Sequence, residues 1–160
     1  KIQGISIAPR LQWRIFIPIY SDGDLVSWTT RSICDHSPIR YISAKPVEEK
    51  IAAKAILYGE DYCRHVILVV EGPTDVWRMG PGAVATFGTS YSKSQVLRMS
   101  KYPIRIICFD SEFQAQHRAR QLCDELSIFP GKTILITLDS KDPGSASQKE
   151  ISQIRRRFLQ

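Results

Sequence analysis

The tightest constraint on this chain is a pattern used three times: a short, continuous apolar run that ends in a carboxylate. Val66-Ile-Leu-Val-Val70 runs into Glu71 and Gly72. Ile104-Arg-Ile-Ile-Cys-Phe109 runs into Asp110-Ser-Glu112. Thr133-Ile-Leu-Ile-Thr-Leu138 runs into Asp139, with Asp142 shortly after. Runs of this length and composition, bounded by turn residues, read as strands buried on both faces. Such strands belong to parallel sheets covered by helices, and ligands there sit in the crevice beyond the carboxyl ends of the strands. Gly72 lets the chain turn at the first of these ends without a Cβ penalty.

What lies between the runs is helical. From residue 64 onward the patterns place strands at 66–70, 83–87, 104–109 and 133–138, and helices at 74–80, 92–100, 112–126 and 148–158. In the third helix Ala115, Ala119, Leu122, Cys123 and Leu126 form one apolar stripe. In the fourth, Ser147 and Glu150 have capping-box spacing, and Ile151, Ile154 and Phe158 share a face. This alternation implies a parallel sheet with helical crossovers.

The first part of the chain is different. Arg14-Ile-Phe-Ile-Pro-Ile-Tyr20 alternates, Ser21-Asp-Gly-Asp24 is a turn signal, and 25–31 returns as the second strand of a hairpin. Pro18 inside the first strand points to an edge position or a bulge. Residues 34–46 read as a loop, and 47–56 as a short helix opened by Pro46 and closed before Gly59. The expected organisation is a small α+β subdomain with an antiparallel hairpin over 1–63, then an α/β domain with a Rossmann-like parallel sheet over 64–160.

One acid at a strand end most often caps the next helix. Three strands delivering acids to one edge are harder to explain that way, because crowded carboxylates repel unless a proton or a cation is shared among them. A set of oxygen ligands alone favours a hard cation, Mg²⁺ or Mn²⁺, over zinc. The four cysteines are widely spaced with no C-x-x-C pair, so no zinc site is expected in these 160 residues. The net charge of +6 suits a polyanionic partner. No apolar run approaches the length of a membrane span and no signal peptide is visible, so no membrane association is expected. Lys1 stands where a start methionine would, consistent with a piece of a longer chain.

The segments Val69-Val-Glu-Gly-Pro-Thr-Asp-Val76, Ala83-Val-Ala-Thr-Phe-Gly-Thr-Ser90, Ile107-Cys-Phe-Asp-Ser-Glu112 and Lys141-Asp-Pro143 together resemble the Toprim domain of bacterial and phage DNA primases in order and spacing. The resemblance runs over roughly 64–158. Upstream, Lys54-Ala-Ile-Leu-Tyr-Gly59 and the hairpin with Arg31 resemble the amino-terminal half of a primase RNA-polymerase core. Two positions depart from the pattern. Glu112 stands where primases usually have Asp, and Gly144 where they commonly have a second Asp.

The resemblance implies a DNA primase core that makes short RNA primers by metal-dependent nucleotidyl transfer. Glu71, Asp110 and Glu112 would be its catalytic carboxylates. Those three with Asp139 and Asp142 would hold Mg²⁺ or Mn²⁺ as ligands rather than as proton shuttles. Arg31, Arg40, Lys54, Gly88 and Thr89 would contact nucleic acid or nucleotide phosphates. The implied partners are a single-stranded DNA template, ribonucleoside triphosphates and the RNA–DNA hybrid; a replicative helicase is a further partner the resemblance allows. The implied location is the cytoplasm, at the nucleoid, or the host cytoplasm for a phage protein. Asp75 matches a family position, and a first-turn acid favoured by the helix dipole explains it equally well. Two alternatives keep the fold: a Toprim nuclease or strand-cleaving enzyme, and a degenerate, non-catalytic Toprim module that binds nucleic acid. A receiver-like phosphorylation domain would need a pair of adjacent acids after its first strand, where this chain has Glu71-Gly-Pro.

Overall fold

Residues 8–34 and 36–159 are described by a computed structural model. The chain divides into two units, Lys1–Ala53 and Lys54–Gln160.

The first unit is built on the hairpin. Strands β1 (Arg14–Ser21) and β2 (Asp24–Ser32) pair antiparallel, with Ile17 opposite Thr29 and Pro18 opposite Trp28. A bulge lies between Ile19 and Tyr20, and β1 is an edge strand, so Pro18 removes no ladder bond from a central position. Ile17, Ile19 and Val26 are buried, and Phe16 stacks on Trp28 at 5.7 Å between centroids. A third strand, β3 (Tyr41–Ser43), adds antiparallel to β2 inside the stretch expected to be loop.

The helix expected over 47–56 does not form. Two single 3-10 turns, Pro46–Glu48 and Ala53–Ala55, stand in its place. The amides of Lys50 and Ile51 both donate to the Val26 carbonyl of β2, so they are unavailable to carbonyls four residues back. Val47, which a helix would need on its apolar face, is 91% exposed.

The second unit is a four-stranded parallel sheet in the order β5–β4–β6–β7, built from β4 (Val66–Val70), β5 (Ala83–Ala85), β6 (Ile104–Ile107) and β7 (Lys132–Leu135). Helices α1 (Pro73–Met79), α2 (Lys93–Met99), α3 (Phe113–Ser127) and α4 (Gln148–Phe158) connect and follow the strands. Ile67, Leu68, Val69 and Val70 are fully buried, as expected of a central strand covered on both faces. Ala115, Ala119, Leu122 and Leu126 of α3 pack into the same core with Ile107, Phe109 and Met99. Burial of each large aliphatic or aromatic side chain contributes about 1.5–3 kcal/mol.

Residues 54–63, read from the sequence as the end of the first subdomain, go with the parallel-sheet unit. Ile56, Leu57 and Tyr58 are buried, and Tyr58 exchanges backbone bonds with Ala85 at 3.0 Å in both directions. Three ladders stop earlier than the apolar runs, at Ala85, Ile107 and Leu135. Past the end of β6, Cys108 and Phe109 stay fully buried and Cys108 N–H still bonds Val69 O at 2.8 Å. That extension carries Asp110 to the sheet edge. Among the described residues, no helix is long and apolar enough to cross a membrane.

Candidate metal and phosphate centre

Glu71 follows β4 directly, and Asp110 lies three residues past β6. The two are locked together through the backbone: Asp110 N–H donates to Glu71 Oε1 at 3.1 Å. Gln116, buried on the first turns of α3, fixes the same segment from below. Its Nε2 donates to the Phe109 carbonyl at 3.1 Å and the Asp110 carbonyl at 2.9 Å, while Thr137 Oγ1 donates to its Oε1 at 3.1 Å. A polar residue in the middle of an apolar stripe thus holds the chain around the acid.

The next loop is tied in as well. Ser111 donates to the Lys141 carbonyl from both its N–H (2.8 Å) and its Oγ (3.1 Å). Lys141 Nζ in turn lies 2.9 Å from Glu112 Oε1. Asp142 is held in a tight turn in which its Oδ1 accepts Ser145 N–H at 2.7 Å.

The electrostatics follow from this crowding. Asp110 is pushed up from an ordinary 3.8 to about 7, first by burial and then by the charges of Glu71, Asp75, Asp142 and Glu112. Glu71 is raised too, by burial first, partly offset by the N–H it accepts from Asp110. Asp110 Oδ1 is buried and has no hydrogen-bond partner. An unpartnered buried carboxylate oxygen is costly and calls for a proton or a cation. Among the described residues no three acids close to coordination distance as they stand. The donor set is oxygen only, which fits Mg²⁺ or Mn²⁺.

The charges of Glu71, Glu112 and Asp142 lie close enough to Asp110 to raise its proton affinity. Asp139 is not among the leading charges on Asp110 or Glu71. Its backbone N–H donates to Glu150 Oε1 at 2.7 Å, and Ser140 Oγ donates to Glu150 Oε2 at 2.8 Å. Glu150 therefore closes the 139–140 turn instead of completing the capping box, although Ser147 Oγ does accept Glu150 N–H at 3.1 Å. Asp75 plays both parts considered for it: its Oδ2 accepts Gly72 N–H at 2.9 Å at the start of α1, and its charge acts on Asp110. At Gly144 an added Cβ would lie 3.2 Å from Asp142 Oδ1, so the turn leaves little room for a side chain at that position.

Lys54 has a role that the sequence did not reveal. Its ammonium donates to the carbonyls of Thr86 (2.8 Å), Phe87 (3.0 Å) and Ser90 (2.7 Å). It braces the turn after β5, where Phe87 (φ 61°) and Gly88 (φ 108°) both take left-handed backbone. Buried Gln95 supports the turn from α2, donating to Thr86 O at 3.2 Å and Ile56 O at 2.9 Å. Gly88 N–H donates to the Glu71 carbonyl at 2.8 Å, so that amide points to the carboxylate strand. Thr89 beside it is half-buried. Gln95 and Gln116 are recognisable in the sequence only as polar residues among apolar ones, and Lys54 only as a cation that the resemblance assigns to a phosphate contact.

Arg31 and Arg40 belong to the first unit. Arg31 Nη1 donates to Tyr41 Oη at 2.9 Å and its guanidinium lies over the Tyr41 ring; Arg40 is exposed. All four cysteines are free. Burial pushes the Cys108 thiol up to about 12, so it is an inert core group.

No family model matches the chain. It is 26% identical over 161 residues to a DNA primase of Thermotoga maritima, covering 92% of this chain and 28% of that protein. Among solved structures, the zinc-binding and RNA polymerase domains of the Aquifex aeolicus primase superpose with a TM-score of 0.77 at 20% identity, over 91% of this chain and 39% of that one. The E. coli primase catalytic core gives 0.73 at 18%, over 93% of this chain and 53% of that one. The primase fragment of the bacteriophage T7 primase-helicase protein gives 0.68 at 15%, over 90% and 61%. The chain has the fold of Toprim primase cores, and it spans only part of the length of each of these relatives.

Proposed function

We propose that this chain is part of the RNA-polymerase core of a DNA primase, a nucleotidyltransferase that builds short RNA primers on single-stranded DNA from ribonucleoside triphosphates. The observation that carries the reading is Asp110: a strand-end carboxyl with a buried, unpartnered oxygen, under the charges of Glu71, Glu112 and Asp142, in a fold shared with primase catalytic cores.

Asp110 and Glu71 would hold Mg²⁺ or Mn²⁺, with Glu112 and Asp142 next to them; Asp139 stands outside this set. Such a cation, when bound, lowers the pKa of a 3′-hydroxyl and neutralises charge on a leaving pyrophosphate. The chain's own residues do the positioning. Gln116 and the Asp110 N–H fix the two central acids relative to each other. Lys141 balances one negative charge at Glu112. Lys54 and Gln95 hold the 86–90 turn, leaving Thr89 as its candidate for a phosphate contact. Arg31 and Arg40 are proposed as contacts to template or hybrid, on the strength of the resemblance. The location that goes with this reading is the cytoplasm, at the nucleoid. A helicase partner is supported by the T7 relative, itself a primase-helicase protein.

A second reading, a non-catalytic Toprim module that binds nucleic acid, is favoured by Gly144 and by the engagement of Glu112 with Lys141. A template-dependent assay separates the two. Single-stranded DNA, ribonucleoside triphosphates and Mg²⁺ or Mn²⁺ should give short RNA products that disappear in Glu71→Gln. DNA binding without any product would favour the module, and metal-dependent nicking of plasmid DNA would favour a nuclease.

A further inference from the structure

We propose that the outer stripe of α3, starting at Phe113, is a stacking track for single-stranded nucleic acid beside the carboxylate centre. The proposal rests on the nucleic-acid reading above and adds a binding surface to it.

Phe113 is the first residue of α3, next to Glu112 and three residues past Asp110. It is 83% exposed. The helix does not need it for packing, since its buried face is made by Ala115, Ala119, Leu122 and Leu126. A single exposed apolar side chain is ordinary by itself. This one shares its stripe with an exposed arginine. At i+4 and i+7 the same stripe carries His117 and Arg120, both exposed. Lys141 is ion-paired at 2.9 Å with Glu112, the residue before Phe113.

Aromatic faces that stack bases, interleaved with cations that neutralise phosphates, are the two elements of a single-strand binding surface. A rise of 1.5 Å per residue puts Phe113 and Arg120 about 10 Å apart along the helix, on the order of three stacked nucleotides. A protein partner would want a contiguous apolar centre, and the exposed stripe residues that follow Phe113, His117 and Arg120, are polar instead.

The test is fluorescence anisotropy of a labelled single-stranded oligothymidylate with the full chain, with and without Mg²⁺, across a salt series. Phe113→Ala should weaken binding about tenfold, within the range expected for loss of one stacked base, and Phe113→Trp should restore it. Arg120→Ala should lower the slope of log affinity against log salt by about 0.7, the loss of one phosphate contact on a single strand. Wild-type binding that Phe113→Ala and Arg120→Ala leave unchanged overturns the track and leaves the carboxylate reading intact. A wild-type chain that binds no oligonucleotide under any of these conditions overturns the nucleic-acid reading itself, and the track with it.

Discussion

The Asp110→Asn substitution isolates the electrostatic strain of the carboxylate cluster. The ordinary carboxyl value is 3.8 and the folded one about 7, a little over three powers of ten in proton affinity. At about 1.4 kcal/mol for each power of ten, the ceiling is roughly 4 kcal/mol. Asp110 is only half-buried, and solvent screening reduces this to about 1–2 kcal/mol. The sign follows from linkage. Between these two values the folded chain binds more protons than the unfolded one, so the contribution is complete below about 3.8 and is lost as pH rises through about 7. Without divalent ions, the wild-type chain should therefore lose thermal stability from pH 5 to pH 8. Asp110→Asn should show a much smaller loss, with Glu71 supplying what slope remains. At pH 8 the variant should melt about 3–8 °C above wild type, and near pH 4 the two should converge. Added Mg²⁺ should raise the wild-type melting temperature at pH 8 and leave the variant unmoved. A wild-type stability that stays flat or rises over pH 5–8, or a variant less stable than wild type at pH 8, would refute the reasoning.

Lys54→Met removes three charge-assisted bonds to the 86–90 turn; it should cost about 2–4 kcal/mol and speed amide exchange in that turn, as read by hydrogen exchange. Leu122→Ala opens a cavity under α3 and should cost about 2–5 kcal/mol in denaturant unfolding. Gly131 has a φ of 109°, and a Cβ there would lie 2.5 Å from the Pro103 carbonyl oxygen, so Gly131→Ala should lower the melting temperature by several degrees, about 1 kcal/mol or more.

The parallel sheet was legible because its signals are local. Five apolar residues between His65 and Glu71 mark β4 to the residue, and Ser147 with the Ile151 stripe marks α4. The expected helix over 47–56 failed because its amides are claimed by Val26, a contact that no window of ten residues contains. The three-residue β3 is too short to show any period. The acids divide by the same rule. A strand-end Asp looks alike in sequence whether it joins a cluster, as Asp110 does, or has its backbone tied to Glu150, as Asp139 does. Lys54 reads as a free cation until the carbonyls some thirty residues away are placed around it. The whole positioning layer, Lys54, Gln95 and Gln116, was hidden because each acts on backbone atoms, which carry no mark in the sequence.

The most direct test of the central claim is anomalous diffraction from Mn²⁺-soaked crystals of wild type and Glu71→Gln. The account predicts a manganese peak against Asp110 and Glu71 in wild type that is absent from the variant. A wild-type map with no peak there, or a peak that Glu71→Gln leaves in place, would contradict it.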